Sequence, residues 1–168
     1  LPIWDMKRFI IVLISILLLI LDNSLSPFIA IKGVYPSLLF IFAIAYSIIN
    51  GKKEAVFIGV VSGLLQDIFF FNGFGINALV NMLCCLFAGL VGEGIWRNKK
   101  LIPVGTMFVT TSLRVFGIFI IMYLLKIKVD VLRGIFAGLY NSIIMFFAYP
   151  LFYKFLYNDE EKTKWRFK

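Results

Sequence analysis

The chain reads as an all-α integral membrane protein, a bundle of six transmembrane helices with five as the alternative count. Three observations predict this. Of 168 residues 61% are hydrophobic and only 15% charged, far outside the usual composition of a soluble domain. Apolar runs of bilayer-crossing length recur along the whole chain at about 8–25, 34–50, 54–71, 75–95, 101–125 and 131–156, each near the roughly 20 residues that span hydrocarbon. Several runs also carry small or polar residues at helical spacing, the pattern by which helices associate in lipid. These runs leave no room for a separate soluble domain, so residues 1–157 form one membrane domain and 158–168 a short charged tail.

The first run, Phe9 to Leu21, is Ile, Leu and Val with Ser15 as its polar exception. A helix so uniformly apolar lies at the periphery, facing lipid or a partner's single spanning helix. Met6-Lys7-Arg8 resembles a natural start, and the true first residue is read as either Leu1 or Met6. A basic start before an apolar run also resembles a signal peptide, but Asp22 to Pro27 offers no small-residue cleavage site and further spans follow. An uncleaved first span is expected.

The second run is short and holds Pro36 near its start, and Phe28 to Tyr35 is a candidate to lie along the interface. The third is the richest. Ala55, Gly59, Gly63 and Asp67 recur every four positions, so they stack on one helix face with Ser62 and Gln66 beside them. The fourth places Asn77, Asn81, Cys85, Ala88 and Gly92 on one face, with Gly89 beside them. Thr106, Thr110, Arg114 and Gly117 mark the fifth; Gly134, Gly138, Asn141 and Ser142 mark the sixth. The sixth run is long, with an exit expected near Tyr149-Pro150. Tyr149, Tyr153 and Tyr157 are then spaced as a headgroup-level aromatic belt.

The net charge of +8 sits in loops and tail, where positive-inside placement explains it without nucleic acid. With six spans and the N-terminus inside, twelve basic residues fall on the inner side and four on the outer, so both termini are expected to be cytoplasmic. Anionic lipids are the expected counterions.

Charges within spans are costly and therefore informative. Asp67 lies 13 residues beyond Glu54, and Arg114 lies 13 beyond Leu101. Both stand about 20 Å from the inner ends of their helices. Equal depth and opposite charge predict an ion pair, with Asn77, Asn81, Gln66 and Asn141 completing a polar cluster. Loss of one partner should then harm more than loss of both. The cluster is read either as a register-fixing pair or as a binding site.

Catalysis finds no support. Histidine is absent, no phosphate-binding or metalloprotease motif occurs, and Cys84-Cys85 point about 100° apart on a helix. No enzyme, cofactor or metal is expected.

Gly59-Val60-Val61-Ser62-Gly63-Leu64-Leu65-Gln66-Asp67, then Gly73-Phe74-Gly75-Ile76-Asn77-Ala78-Leu79, then Gly89 and Gly92, resemble the core of the rod shape-determining protein MreD family. The early Pro36 and the late Asn141 and Tyr149-Pro150 fit as well, so the resemblance covers nearly the whole chain. It implies a non-enzymatic scaffold subunit of the cell-wall elongation machinery in the inner membrane of a rod-shaped bacterium, serving cell shape and peptidoglycan synthesis. The implied partner is the single-span protein MreC, and through it MreB, RodA and its transpeptidase. The fold so implied is similar to the substrate-binding component of energy-coupling-factor vitamin transporters, which supplies the alternative function. Against that alternative, no Gly or Ala for docking a transport partner occurs between Phe9 and Leu21.

Overall fold

The computed structural model describes residues 3–31, 34, 36–70, 75–94, 101–126, 128 and 131–165. Six helices are present among them: α1 (Ile3–Ile29), α2 (Leu38–Asn50), α3 (Lys52–Phe70), α4 (Ile76–Gly94), α5 (Leu101–Leu124) and α6 (Val131–Trp165). Four contain stretches long and apolar enough to cross a membrane, at Met6–Leu25, Ile76–Glu93, Ile102–Leu124 and Leu132–Lys154. The loop cations Lys32, Arg97, Lys99 and Lys100, the Asn72-Gly73 turn and residues 166–168 lie outside the described residues.

α2 is the shortest helix and the centre of the molecule. It packs against all five others, and every residue from Leu39 to Ile49 is buried. Its 13 residues rise only about 20 Å, so the longer helices enclose it on all sides. The helix begins at Leu38, later than the apolar run at residue 34, because Pro36 and the N-cap Ser37 stop it there. The Ser37 hydroxyl accepts from the Phe40 N–H, a standard cap.

α3 and α4 form the tightest pair, and their glycines are the reason. A Cβ at Gly59 would stand 2.7 Å from the Met82 Cα, and one at Gly63 would strike the Ala78 backbone. Gly89 approaches Ala55 and Lys52 of α3 in return, while Gly92 lies against the Ile48 backbone of α2. On α6, Gly134 abuts Val115 of α5, whereas Gly138 meets Thr111 only at 3.5 Å, ordinary contact. The small-residue stripes are thus spent on contacts inside the chain.

α1 is peripheral: it packs against α2 and α3, and at its far end the Ile29 carbonyl accepts from the Tyr140 hydroxyl of α6 at 3.0 Å. Ile11, Ser15, Leu19 and Asp22 form its buried stripe, while Phe9, Leu13, Leu17 and Ile20 face outward. At the end of the bundle where α1 and α3 begin, Arg8 meets Glu54 at 3.3 Å and the Tyr46 hydroxyl donates to the same carboxylate at 3.1 Å. This end carries Lys7, Arg8, Lys52 and Lys53 and is called the basic end below.

α6 runs as one helix through Pro150 to Trp165. One expectation changes here. Tyr149 is 3% exposed and pairs with the Tyr153 ring at 5.9 Å, and neighbouring Phe152 meets Phe42 of α2 edge-on. These rings therefore pack inward against α2 instead of forming a headgroup belt, because the central helix needs covering along its whole length. The Tyr157 side chain lies outside the described residues.

Candidate functional site

The far end of α2 holds a buried polar network to which every helix contributes. Its origin is a backbone problem. The first N–H groups of a helix have no partner inside that helix, and in an apolar interior they must find one elsewhere. Asp22, near the close of α1, supplies it for α2. Its Oδ1 accepts from Leu38 N at 2.7 Å and its Oδ2 from Leu39 N at 3.1 Å, with the Ser37 hydroxyl donating at 3.4 Å.

Asp67 solves the same problem for α4. It accepts from the backbone N–H groups of Gly75, Asn77 and Ala78 at 2.9–3.1 Å. A further acid in this role is Glu93, whose Oε1 accepts from Lys52 N at 3.1 Å and closes the start of α3 at the basic end. Three helices therefore begin on a carboxylate donated by a neighbouring helix, where the positive end of the helix dipole also favours it.

Gln66 is the hub between these caps. Its Nε2 donates to the Ser37 hydroxyl at 3.2 Å, and its Oε1 accepts from Asn81 Nδ2 at 2.9 Å and from Arg114 Nη2 at 2.8 Å. Asn81 also reaches the Ser62 hydroxyl at 3.5 Å. Asn141 of α6 completes the ring by accepting from Ser37 N at 3.1 Å. The Arg114 guanidinium lies over the Phe40 ring with its carbon 4.6 Å from the centroid, a cation–π contact.

The expected ion pair between Asp67 and Arg114 does not form, and the described residues contain no salt bridge between them. Depth was matched, but α3 and α5 are not neighbours; α4 packs against both and keeps them apart. Arg114 meets the residue beside Asp67, and Asp67 turns to α4. The charges still balance. Two carboxylates face two helix N-termini, each worth about half a positive charge, and Arg114 supplies the remaining positive unit. The expected cluster members Gln66, Asn81, Arg114 and Asn141 are brought together, whereas Asn77 joins only through its backbone N–H.

Asp22 and Ser37 were missed as members. The available signal was a helix-cap pattern, Pro36-Ser37 directly before an apolar run, but nothing local reveals that Asp22 of another helix would share the cap. Two atoms of the network, Asn81 Oδ1 and Arg114 Nε, have no hydrogen-bond partner among the described residues. The threonines of α5 contribute little to it. Thr106 and Thr110 return their hydroxyls to Ile102 and Thr106 carbonyls of their own helix. Cys84 and Cys85 are buried and free, with the Cys84 thiol 3.5 Å from the Thr110 carbonyl.

Chemically, the arrangement fixes helices to one another. Its donors and acceptors point at backbone ends and at each other, and the glycine contacts of α3 and α4 lie on the same face one to two turns away. A family model described as rod shape-determining protein MreD matches residues 5–158. No curated protein and no solved structure matches the chain.

Proposed function

The chain belongs to the rod shape-determining protein MreD family, and on that premise we propose that it is a non-enzymatic scaffold which binds MreC within the cell-wall elongation machinery. The family determines rod shape and is a structural one, and with four long apolar helices the chain is a multi-pass membrane protein. The finer reading is ours. MreC is the direct partner, with MreB, RodA and its transpeptidase reached through it. Residues 1–157 cross the cell membrane as six helices, α2 and α3 included, with both termini cytoplasmic by the positive-inside count.

The observation that carries this reading is where the polar groups go. Asp22, Asp67, Gln66 and Asn141 are all engaged by groups of the same chain, and the glycine stripes by neighbouring helices. A part built this way holds a shape. The uniformly apolar outer face of α1 suits a single spanning helix laid beside it. A fold similar to the substrate-binding component of energy-coupling-factor transporters belongs to this reading, and a vitamin-binding role is the competing proposal.

The test is detergent co-purification with MreC of the same organism, using an unrelated single-span protein as control. Specific, stoichiometric recovery supports the scaffold. Absence of recovery from a folded chain, together with saturable binding of a vitamin, overturns it.

A further inference from the structure

The basic end carries cations that the network does not use. Lys53 and Phe57 are four residues apart and share one face of α3, while Arg8 of α1 lies over the Phe57 ring at 5.1 Å. Phe57 thus has Arg8 over its ring and Lys53 one turn earlier on the same helix. Arg8 is tied to Glu54 by one long contact of 3.3 Å, and its side chain is still 49% exposed. A guanidinium has five N–H donors, so one such contact leaves most of them available. Lys53 is exposed and has no polar partner among the described residues.

The two acids described at this end are already engaged. Glu54 is shared between Arg8 and the Tyr46 hydroxyl, and Glu93 closes the start of α3. Lysines at the start of α3 also stand at the positive end of its dipole, which makes an external anion more favourable there. Directly beside the cations the surface turns apolar: Met6, Phe9, Ile10 and Val56 are all exposed. A soluble anion has no use for that border. A phospholipid does, since its phosphate meets cations while its acyl chains need an apolar wall.

We propose that Arg8 and Lys53 form a seat for the phosphate of an anionic phospholipid, with its acyl chains along the exposed apolar side of α1 and α3. The site lies at the opposite end from the six-helix network and goes beyond the scaffold reading. It joins α1, the most loosely packed helix, to α3 through a lipid held by both.

The experiment uses the full chain purified in neutral detergent, with thermal unfolding followed as lipid is added. Phosphatidylglycerol should raise Tm saturably, whereas phosphatidylcholine with the same acyl chains and inorganic phosphate should not. Lys53→Gln should weaken the apparent affinity about fivefold, as expected from about 1 kcal/mol per basic residue near an anionic surface. Lys154→Gln, an exposed cation on α6, should leave it unchanged. Arg8→Gln should weaken it at least as much as Lys53→Gln. Should it fail to fold, Lys53→Gln against Lys154→Gln still decides the matter. Equal losses in those two variants would reduce the effect to general charge, and an equal response to phosphatidylcholine or to inorganic phosphate would remove the lipid; any of these outcomes overturns the proposal.

Discussion

Arg114 of α5 donates to the Gln66 side-chain oxygen of α3 at 2.8 Å and leaves the adjacent carboxylate, Asp67, to the start of α4. One residue of register along α3 thus decides which helix each polar group serves. Gln66 faces the centre, where Ser37, Asn81 and Arg114 converge, while Asp67 turns toward the loop into α4.

This separation predicts how the charges couple. Gln66→Ala strands Arg114 and Asn81 together and should destabilise by about 1–3 kcal/mol, the usual cost of leaving buried polar groups unpaired. In a double-mutant cycle Gln66→Ala and Arg114→Ala should interact strongly. Asp67→Asn and Arg114→Gln should add within about 0.5 kcal/mol, as for residues that share no direct contact. Reversible unfolding of the four variants and their combinations checks this, and strong mutual rescue between the Asp67 and Arg114 variants would reinstate the ion pair.

Asp22 should act through its acceptor oxygens. Asp22→Ala removes the partners of the Leu38 and Leu39 N–H groups and should cost about 1–2 kcal/mol, the scale of a lost helix cap. Asp22→Asn keeps one acceptor and should lose less. Hydrogen exchange at Leu38 and Leu39 reads the effect locally: both amides should exchange faster in the Ala variant. Unchanged protection there contradicts the capping role.

The glycines should rank by what stands opposite them. Gly63→Ala and Gly59→Ala place a methyl group against the α4 backbone, which cannot move aside, and overpacking of this kind typically costs about 1–3 kcal/mol. The corresponding Leu variants should abolish assembly. Gly138→Ala meets Thr111 at 3.5 Å and Phe108 at 3.8 Å, both ordinary contacts, and should be tolerated within about 0.5 kcal/mol. Thermal unfolding in one detergent compares all of them, and equal losses at Gly63 and Gly138 would contradict the ranking.

The Arg8–Glu54 contact should be minor on its own. Arg8 is 49% and Glu54 18% exposed on their side chains, and an exposed pair of this kind is worth at most about 1 kcal/mol. Arg8→Gln should lower stability slightly, by an amount that shrinks as salt is raised. Unfolding at low and high ionic strength measures it. A large, salt-independent loss would mean that stacking on Phe57 outweighs the charge.

What the sequence alone determined is the part of the molecule set by composition and by helical period. Six apolar runs, an uninterrupted apolar α1 and the four-residue rhythm of Ala55, Gly59, Gly63 and Asp67 are local properties. Neither the rank of the helices nor the partner of each polar group is local. α2, short and interrupted early by Pro36, is the enclosed centre of the bundle. Hydropathy could not reveal this, because burial against lipid and burial against other helices select the same apolar residues. Depth along a helix axis was likewise readable for Asp67 and Arg114, but which helices stand side by side was not. Only the packing of α4 between α3 and α5 decided that Arg114 would meet Gln66, and that Asp22 and Asp67 would each close the start of another helix.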